Sequence, residues 1–179
     1  MNSLTTNNTT RDNTSGRADA PLVLTEYGDY ECPYCGRAYP MVKNIQNHFG
    51  ERLRFVFRNF PWSKIHPNAF AAAVAAEAAA LQNKFWEMHD IIFENQQALR
   101  DSDIIRMAEG VGLDLERFNA DRQSPEPAEK VRGDFEMGIR SGVNRTPTFF
   151  LNGKRFDGHL HEDQLQAFVE QELKAVLTS

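Results

Sequence analysis

Leu22-Val23-Leu24-Thr25-Glu26-Tyr27-Gly28-Asp29-Tyr30-Glu31-Cys32-Pro33-Tyr34-Cys35 holds a strand, a short loop and a cysteine pair in succession. Leu22 to Tyr27 is apolar on both faces until Thr25, which reads as a central strand. Gly28 to Glu31 forms the loop. Pro33 suits a first helical turn, where its missing N–H costs nothing. Cys32 and Cys35 are the chain's two cysteines. A pair at this spacing, at a helix start, suits a redox-active dithiol rather than a structural staple.

Working outward, Tyr39, Val42, Ile45 and Phe49 recur at helical spacing from Pro33 onward, and Gly50 stops that helix. Leu53 to Arg58 alternates as a second strand. Residues 67–123 read as almost entirely helical. Ala69 to Leu81 and Phe85 to Phe93 are apolar helices, Asp101 to Asp103 cap Ile104 to Glu109, and Asp114 to Arg122 is a further short helix. After Pro125 and Pro127 a helix is expected over 128–141. Thr148 to Leu151 is a third strand, Asn152-Gly153 a hairpin turn, and Lys154 to Asp157 the returning strand. The last helix, 162–177, carries Leu165, Phe168, Val169, Leu173 and Val176 on one face.

A chain of 179 residues, 41% hydrophobic, with a net charge of −5 fits one globular domain with room for an elaboration. No apolar stretch approaches the roughly 20 residues of a membrane span. No basic stripe suggests nucleic acid as a partner. Residues 1–20 are rich in Asn, Ser and Thr and are expected to form a disordered polar tail. That segment lacks the basic and apolar regions of a secretory signal. The chain as written is therefore expected in the cytoplasm, or in the periplasm if an export signal was removed.

The thiolate is the reactive form of cysteine. A cysteine at a helix N-terminus faces unpaired N–H groups and the positive end of the helix dipole, and both favour the anion. Cys32 is thus expected to be the exposed nucleophile, with a lowered pKa, and Cys35, one turn deeper, the resolving thiol. Asp29 and Glu31 are expected to oppose thiolate formation and Arg37 to favour it. A CxxC can also be half of a zinc site, but a structural site needs four ligands. No second CxxC exists, and His48, His66, His89, His159 and His161 have no zinc-finger spacing. No metal or organic cofactor is expected. A metal or cluster bridging two chains is the binding-module alternative. His66 reads more readily as a helix-capping or solvent residue than as part of the site. Trp62, Phe85, Trp86 and Phe93 read as core, and Tyr30 and Tyr34 as groove candidates.

Two stretches together, Glu26 to Cys35 and Gly142-Val143-Asn144-Arg145-Thr146-Pro147-Thr148-Phe149-Phe150-Leu151-Asn152-Gly153, resemble the DsbA-like branch of the thioredoxin superfamily over about residues 20–178. The resemblance implies an α/β thioredoxin fold with an all-helical domain inserted between the second and third core strands. Its expected portions are 21–66 and 124–179 for the thioredoxin-like domain and 67–123 for the insertion. It implies thiol–disulfide exchange with protein substrates through a mixed disulfide on Cys32, resolved by Cys35. Pro147 matches the family's cis-proline, and Thr146 the residue whose backbone pairs with an extended substrate. Pro33 and Tyr34 join them on the substrate side. Glu26 resembles an acidic residue beneath the CxxC that exchanges a proton with the resolving thiol. Arg145 departs from the small residue that many relatives place there. Protein thiols or disulfides are the expected substrates, with glutathione or a redox partner recycling the site. Cys-Pro-Tyr-Cys also occurs in glutaredoxins, which leaves glutathione-dependent exchange or transfer as an alternative.

Overall fold

The computed structural model describes residues 10–178. A five-stranded sheet runs in the order β1-β3-β2-β4-β5, with β1 Asn13–Ser15, β2 Leu22–Gly28, β3 Leu53–Asn59, β4 Thr148–Leu151 and β5 Lys154–Arg155. β2 and β3 are parallel, with Leu22 opposite Leu53 and Gly28 opposite Asn59. The other pairings are antiparallel. The central position of β2 follows from its composition, since Leu22, Leu24, Thr25, Glu26 and Tyr27 are all buried.

Helix α1, Pro33–Phe49, crosses from β2 to β3 and buries Cys35, Ala38, Val42, Ile45 and Phe49. Between β3 and β4 lie α2 Ala69–Ala80, α3 Phe85–Glu94, α4 Asp101–Gly110, α5 Leu115–Gln123 and α6 Pro125–Arg140. The final helix, α7, is Glu162–Leu177. The expected helical insertion on a thioredoxin fold is what the chain forms. Alanines let α2 pack closely, and nine of its residues are buried. α6 lies against both α2 and β3. Gly138 makes that close approach possible, because a Cβ there would stand 2.6 Å from the Phe60 ring.

Several expectations need correction. Residues 1–9 of the expected disordered tail lie outside the described residues. Residues 13–15 of it are β1, paired with Phe55–Phe57 of β3. The unpatterned polar sequence hid this strand, because its partners are backbone groups and buried polar side chains. Asp12 and Arg58 form an ion pair at 2.9 Å with side chains 1% and 0% exposed. Asn13 donates to Glu77 at 2.8 Å, and Trp86 Nε1 donates to the Thr14 carbonyl at 3.0 Å. The residues expected to cap α4 are its first turn instead, and Asp103 accepts from the Arg100 N–H at 3.2 Å. α6 starts at Pro125, so both prolines sit inside its first turn, where a helix tolerates them. Val176 is exposed rather than on the core face of α7.

Candidate active site

Cys32 is the N-cap of α1 and Pro33 its first residue. Both thiols are free. Cys35 has no exposed surface, and Cys32 keeps only 4% of its own. The expectation of an exposed Cys32 is thus corrected. Cys32 lines a cleft of about 350 Å³ together with Trp62, Ile65, His66, Asn144, Arg145 and Thr146. Pro33 and Tyr34 complete the lining. The Thr146–Pro147 peptide is cis, and the Thr146 carbonyl lies 3.6 Å from Cys32 Sγ, positioned to accept from the thiol.

The two sulfurs are pushed in opposite directions. The Cys32 pKa falls to about 5, first because the Cys35 thiol hydrogen-bonds to it, with Thr146 and the N–H groups of Cys35 and Tyr34 adding to the effect against burial. Cys35 is raised well above the ordinary range, by burial first and then by its bond to Cys32 and the Glu26 charge. The Asp29 N–H donates to Cys35 Sγ at 3.4 Å. Glu26 is buried on β2 between Phe57 and Phe149. Burial, and then the Cys32 charge, lift its pKa to about 8.

Asp29 and Glu31 do not face the thiolate as expected. The Asp29 carboxylate accepts from the N–H groups of Glu31 and Trp62, both at 2.8 Å, and binds His66 Nδ1 at 2.8 Å. Glu31 accepts from the Asn68 backbone and side chain at 2.6 and 2.9 Å. Their acidity is spent fastening the loop after β2 to the loop before α2.

Tyr34 is exposed, with the Arg37 guanidinium 4.3 Å from its ring centroid. It also lines a second cleft of about 210 Å³ with Arg145, Thr146, Pro147, Phe149, Phe156 and Leu160. Tyr30, expected at the groove, is buried instead. Its hydroxyl meets His89 Nδ1 at 2.9 Å, and its ring packs on Phe57 and Phe93. Trp62, expected in the core, walls the Cys32 cleft and an adjoining apolar one of about 460 Å³ with Phe70, Val131 and Phe135. Phe85 and Phe93 are core as expected, and Trp86 is partly buried against it.

Gln96 and the His66–Asp29 pair were not among the expected site residues. Gln96 Nε2 donates to the carbonyls of Tyr30 and Cys32 at 2.9 and 2.7 Å. Gly36 leaves room for it, since a Cβ there would stand 2.2 Å from Gln96 Oε1. A lone glutamine on a loop carries no sequence signal, whereas Gly36 directly after the CxxC hinted at a close approach. Among the described residues no group of three or more His, Cys, Asp or Glu side chains is arranged to hold a metal ion.

The sequence profile of the thioredoxin family matches residues 8–171. A thioredoxin-like oxidoreductase from Silicibacter pomeroyi superposes with a TM-score of 0.83 at 27% identity, over 93% of this chain and 94% of that one. BdbD from Bacillus subtilis does so at 0.81 and 24%, over 92% and 94%. The thiol-disulfide exchange protein alpha-DsbA2 from Wolbachia pipientis does so at 0.81 and 19%, over 90% and 87%. The chain is also 47% identical over 150 residues to a Na(+)/H(+) antiporter, NhaA 1, of Mycolicibacterium vanbaalenii. That match takes 83% of this chain but spans about a quarter of the antiporter's length, 24%. No helix among the described residues is long and apolar enough to cross a membrane. Profile and fold, each covering nearly the whole described chain, agree: the chain belongs to the thioredoxin superfamily and has the form of its DsbA-like branch.

Proposed function

We propose that this chain exchanges disulfides with extended segments of protein substrates through a mixed disulfide on Cys32, resolved by Cys35. The observation that carries the reading is the opposed tuning of two sulfurs that share a hydrogen bond. Cys32, at about 5, is a thiolate near neutrality and opens to a cleft. Cys35 is held protonated and out of reach. A thiolate attacks and a thiol waits, which is the order two-step exchange requires. When Cys32 attacks a substrate disulfide, one substrate thiolate leaves and the mixed disulfide forms. Cys35 then loses its proton to Glu26 and attacks Cys32 Sγ, releasing the second substrate thiolate. Glu26, at about 8, is mostly protonated near neutrality; it releases its own proton first, and the carboxylate so formed takes up the Cys35 proton and later returns it. Run backwards, the same steps oxidise a substrate dithiol. The Thr146 backbone at the Cys32 cleft offers pairing to an extended segment, with Tyr34 and Trp62 as apolar contacts in the same cleft and Phe70 in the one that shares Trp62.

Cys32→Ser is expected to abolish exchange. Cys35→Ser is expected to accumulate mixed disulfides with protein substrates that thiol trapping and mass spectrometry identify. Full turnover of glutathione mixed disulfides by Cys35→Ser would instead establish the monothiol, glutathione-dependent reading. A second reading, that the chain acts on a membrane antiporter, is favoured by the homologous unit carried within the antiporter chains. An antiporter among the proteins trapped by Cys35→Ser supports it, and a trapped set without one removes it.

A further inference from the structure

We infer that His66, oriented by the buried carboxylate of Asp29, delivers a proton to the substrate sulfur leaving at Cys32, and removes it when exchange runs in reverse. This rests on the exchange reading above and adds a side chain that neither the CxxC nor the cis-proline loop supplies. The Asp29 side chain has no exposed surface. Two of its three partners are backbone N–H groups, of Glu31 and Trp62, which lock its position. The third is His66 Nδ1 at 2.8 Å. A carboxylate at that nitrogen places the Nδ1 proton between the two and turns Nε2 outward. Among the described residues no hydrogen bond engages Nε2. The His66 backbone is held as well: its N–H donates to the Trp62 carbonyl at 2.9 Å, and its carbonyl accepts from Ala69 at 3.2 Å. The ring keeps 17% of its surface and lines the same cleft as Cys32 and Thr146.

The charged and titratable groups around the ring are few. Asp29 comes from the loop after β2, Cys32 and Tyr34 from the start of α1, Arg145 from the loop before β4, and Lys64 from its own loop. Glu31 is occupied by Asn68. A substrate sulfur bonded to Cys32 therefore shares its cleft with one imidazole, His66, whereas Glu26 is buried and does not line that cleft.

The chemistry balances. Cys32 thiolate attacks one sulfur of the substrate disulfide, forming the Cys32–S bond and breaking the substrate S–S bond. The departing sulfur takes the Nε2 proton of imidazolium, leaving a free thiol and neutral His66, which regains a proton from water. The second proton of the two-electron reduction comes from Cys35 through Glu26.

Leaving-group acidity tests this. Two substrates share one peptide, with its cysteine disulfide-bonded either to glutathione, a poorly acidic alkyl thiol, or to thionitrobenzoate, an acidic aryl thiol that needs no protonation. His66→Gln is expected to slow release of glutathione by about tenfold or more, toward the usual range of general-acid effects, while thionitrobenzoate release stays within about twofold. The wild-type pH profile for glutathione release should carry a limb absent from the variant's. Equal slowing with both substrates would show a structural role and overturn the proposal. So would unchanged rates with both. As a check needing no variant, wild type should release the two groups at rates far closer than the uncatalysed reaction with dithiothreitol does; a gap as wide as the uncatalysed one also overturns it. Absence of Cys32-dependent release of either group by wild type would instead overturn the exchange reading itself.

Discussion

Glu26 is buried on the central strand β2, and burial and the Cys32 charge both oppose its ionisation, so its cost to stability is set by pH. The unfolded chain releases the Glu26 proton above about 4.5, whereas the folded protein holds it to about 8. Between those values the folded state binds more protons, and stability falls as pH rises. Glu26→Gln removes the titration while keeping the shape. It is expected to raise unfolding free energy by about 3 kcal/mol at pH 7 and by almost nothing at pH 4. Urea denaturation at the two values checks this, and the same variant should slow resolution by Cys35. A variant no more stable at pH 7 than at pH 4, relative to wild type, would show that Glu26 is ionised or solvated. At this scale local spacing was enough to place Cys32 and Cys35, with two residues between them, at a helix start, Glu26 near the end of a buried strand, and Thr146-Pro147 before another strand. It did not reveal where Asp29 and Glu31 point, because that depends on Trp62, His66 and Asn68, more than thirty residues away.

Among the elements, α1 was legible because it rests on local signals: Pro33 at the first turn, Gly50 after the last, apolar spacing between. β1 was not, because three polar residues carry no period and gain their order from distant partners. The element is anchored by the Asp12–Arg58 pair, with Arg58 also donating to the Tyr27 hydroxyl at 3.0 Å. Removing one member of a buried ion pair typically costs about 3–5 kcal/mol. Asp12→Ala is therefore expected to lower stability by that order, seen as a shift in denaturation midpoint. It should leave the Cys32 thiolate titration unchanged, since β1 lies at the sheet edge beyond β3 and does not line the Cys32 cleft. A loss below about 1 kcal/mol would mean that β1 is dispensable to the fold, as an exposed salt bridge would be.

Across the whole molecule, fold stability and redox poise are one quantity seen twice. Any interaction that favours the Cys32 thiolate stabilises the reduced protein and is lost when Cys32 joins Cys35 in a disulfide. The Cys32 pKa is depressed, so this contribution is full above the ordinary thiol value near 9, shrinks as pH falls, and is gone below about 5. At pH 7 it amounts to about 3 kcal/mol. At roughly 30 mV per 1.4 kcal/mol, that makes the couple about 60 mV more oxidising than one with an unperturbed nucleophile. The reduced-minus-oxidised difference in unfolding free energy should accordingly grow by about 3 kcal/mol from pH 4 to pH 7. The reduction potential in glutathione buffers at pH 7 should fall between the roughly −270 mV of thioredoxin and the roughly −120 mV of DsbA. A potential at the thioredoxin end, with a pH-independent stability gap, would mean that the Cys32 thiolate gains nothing from the fold. The opposed tuning of the two sulfurs would then not be what drives exchange.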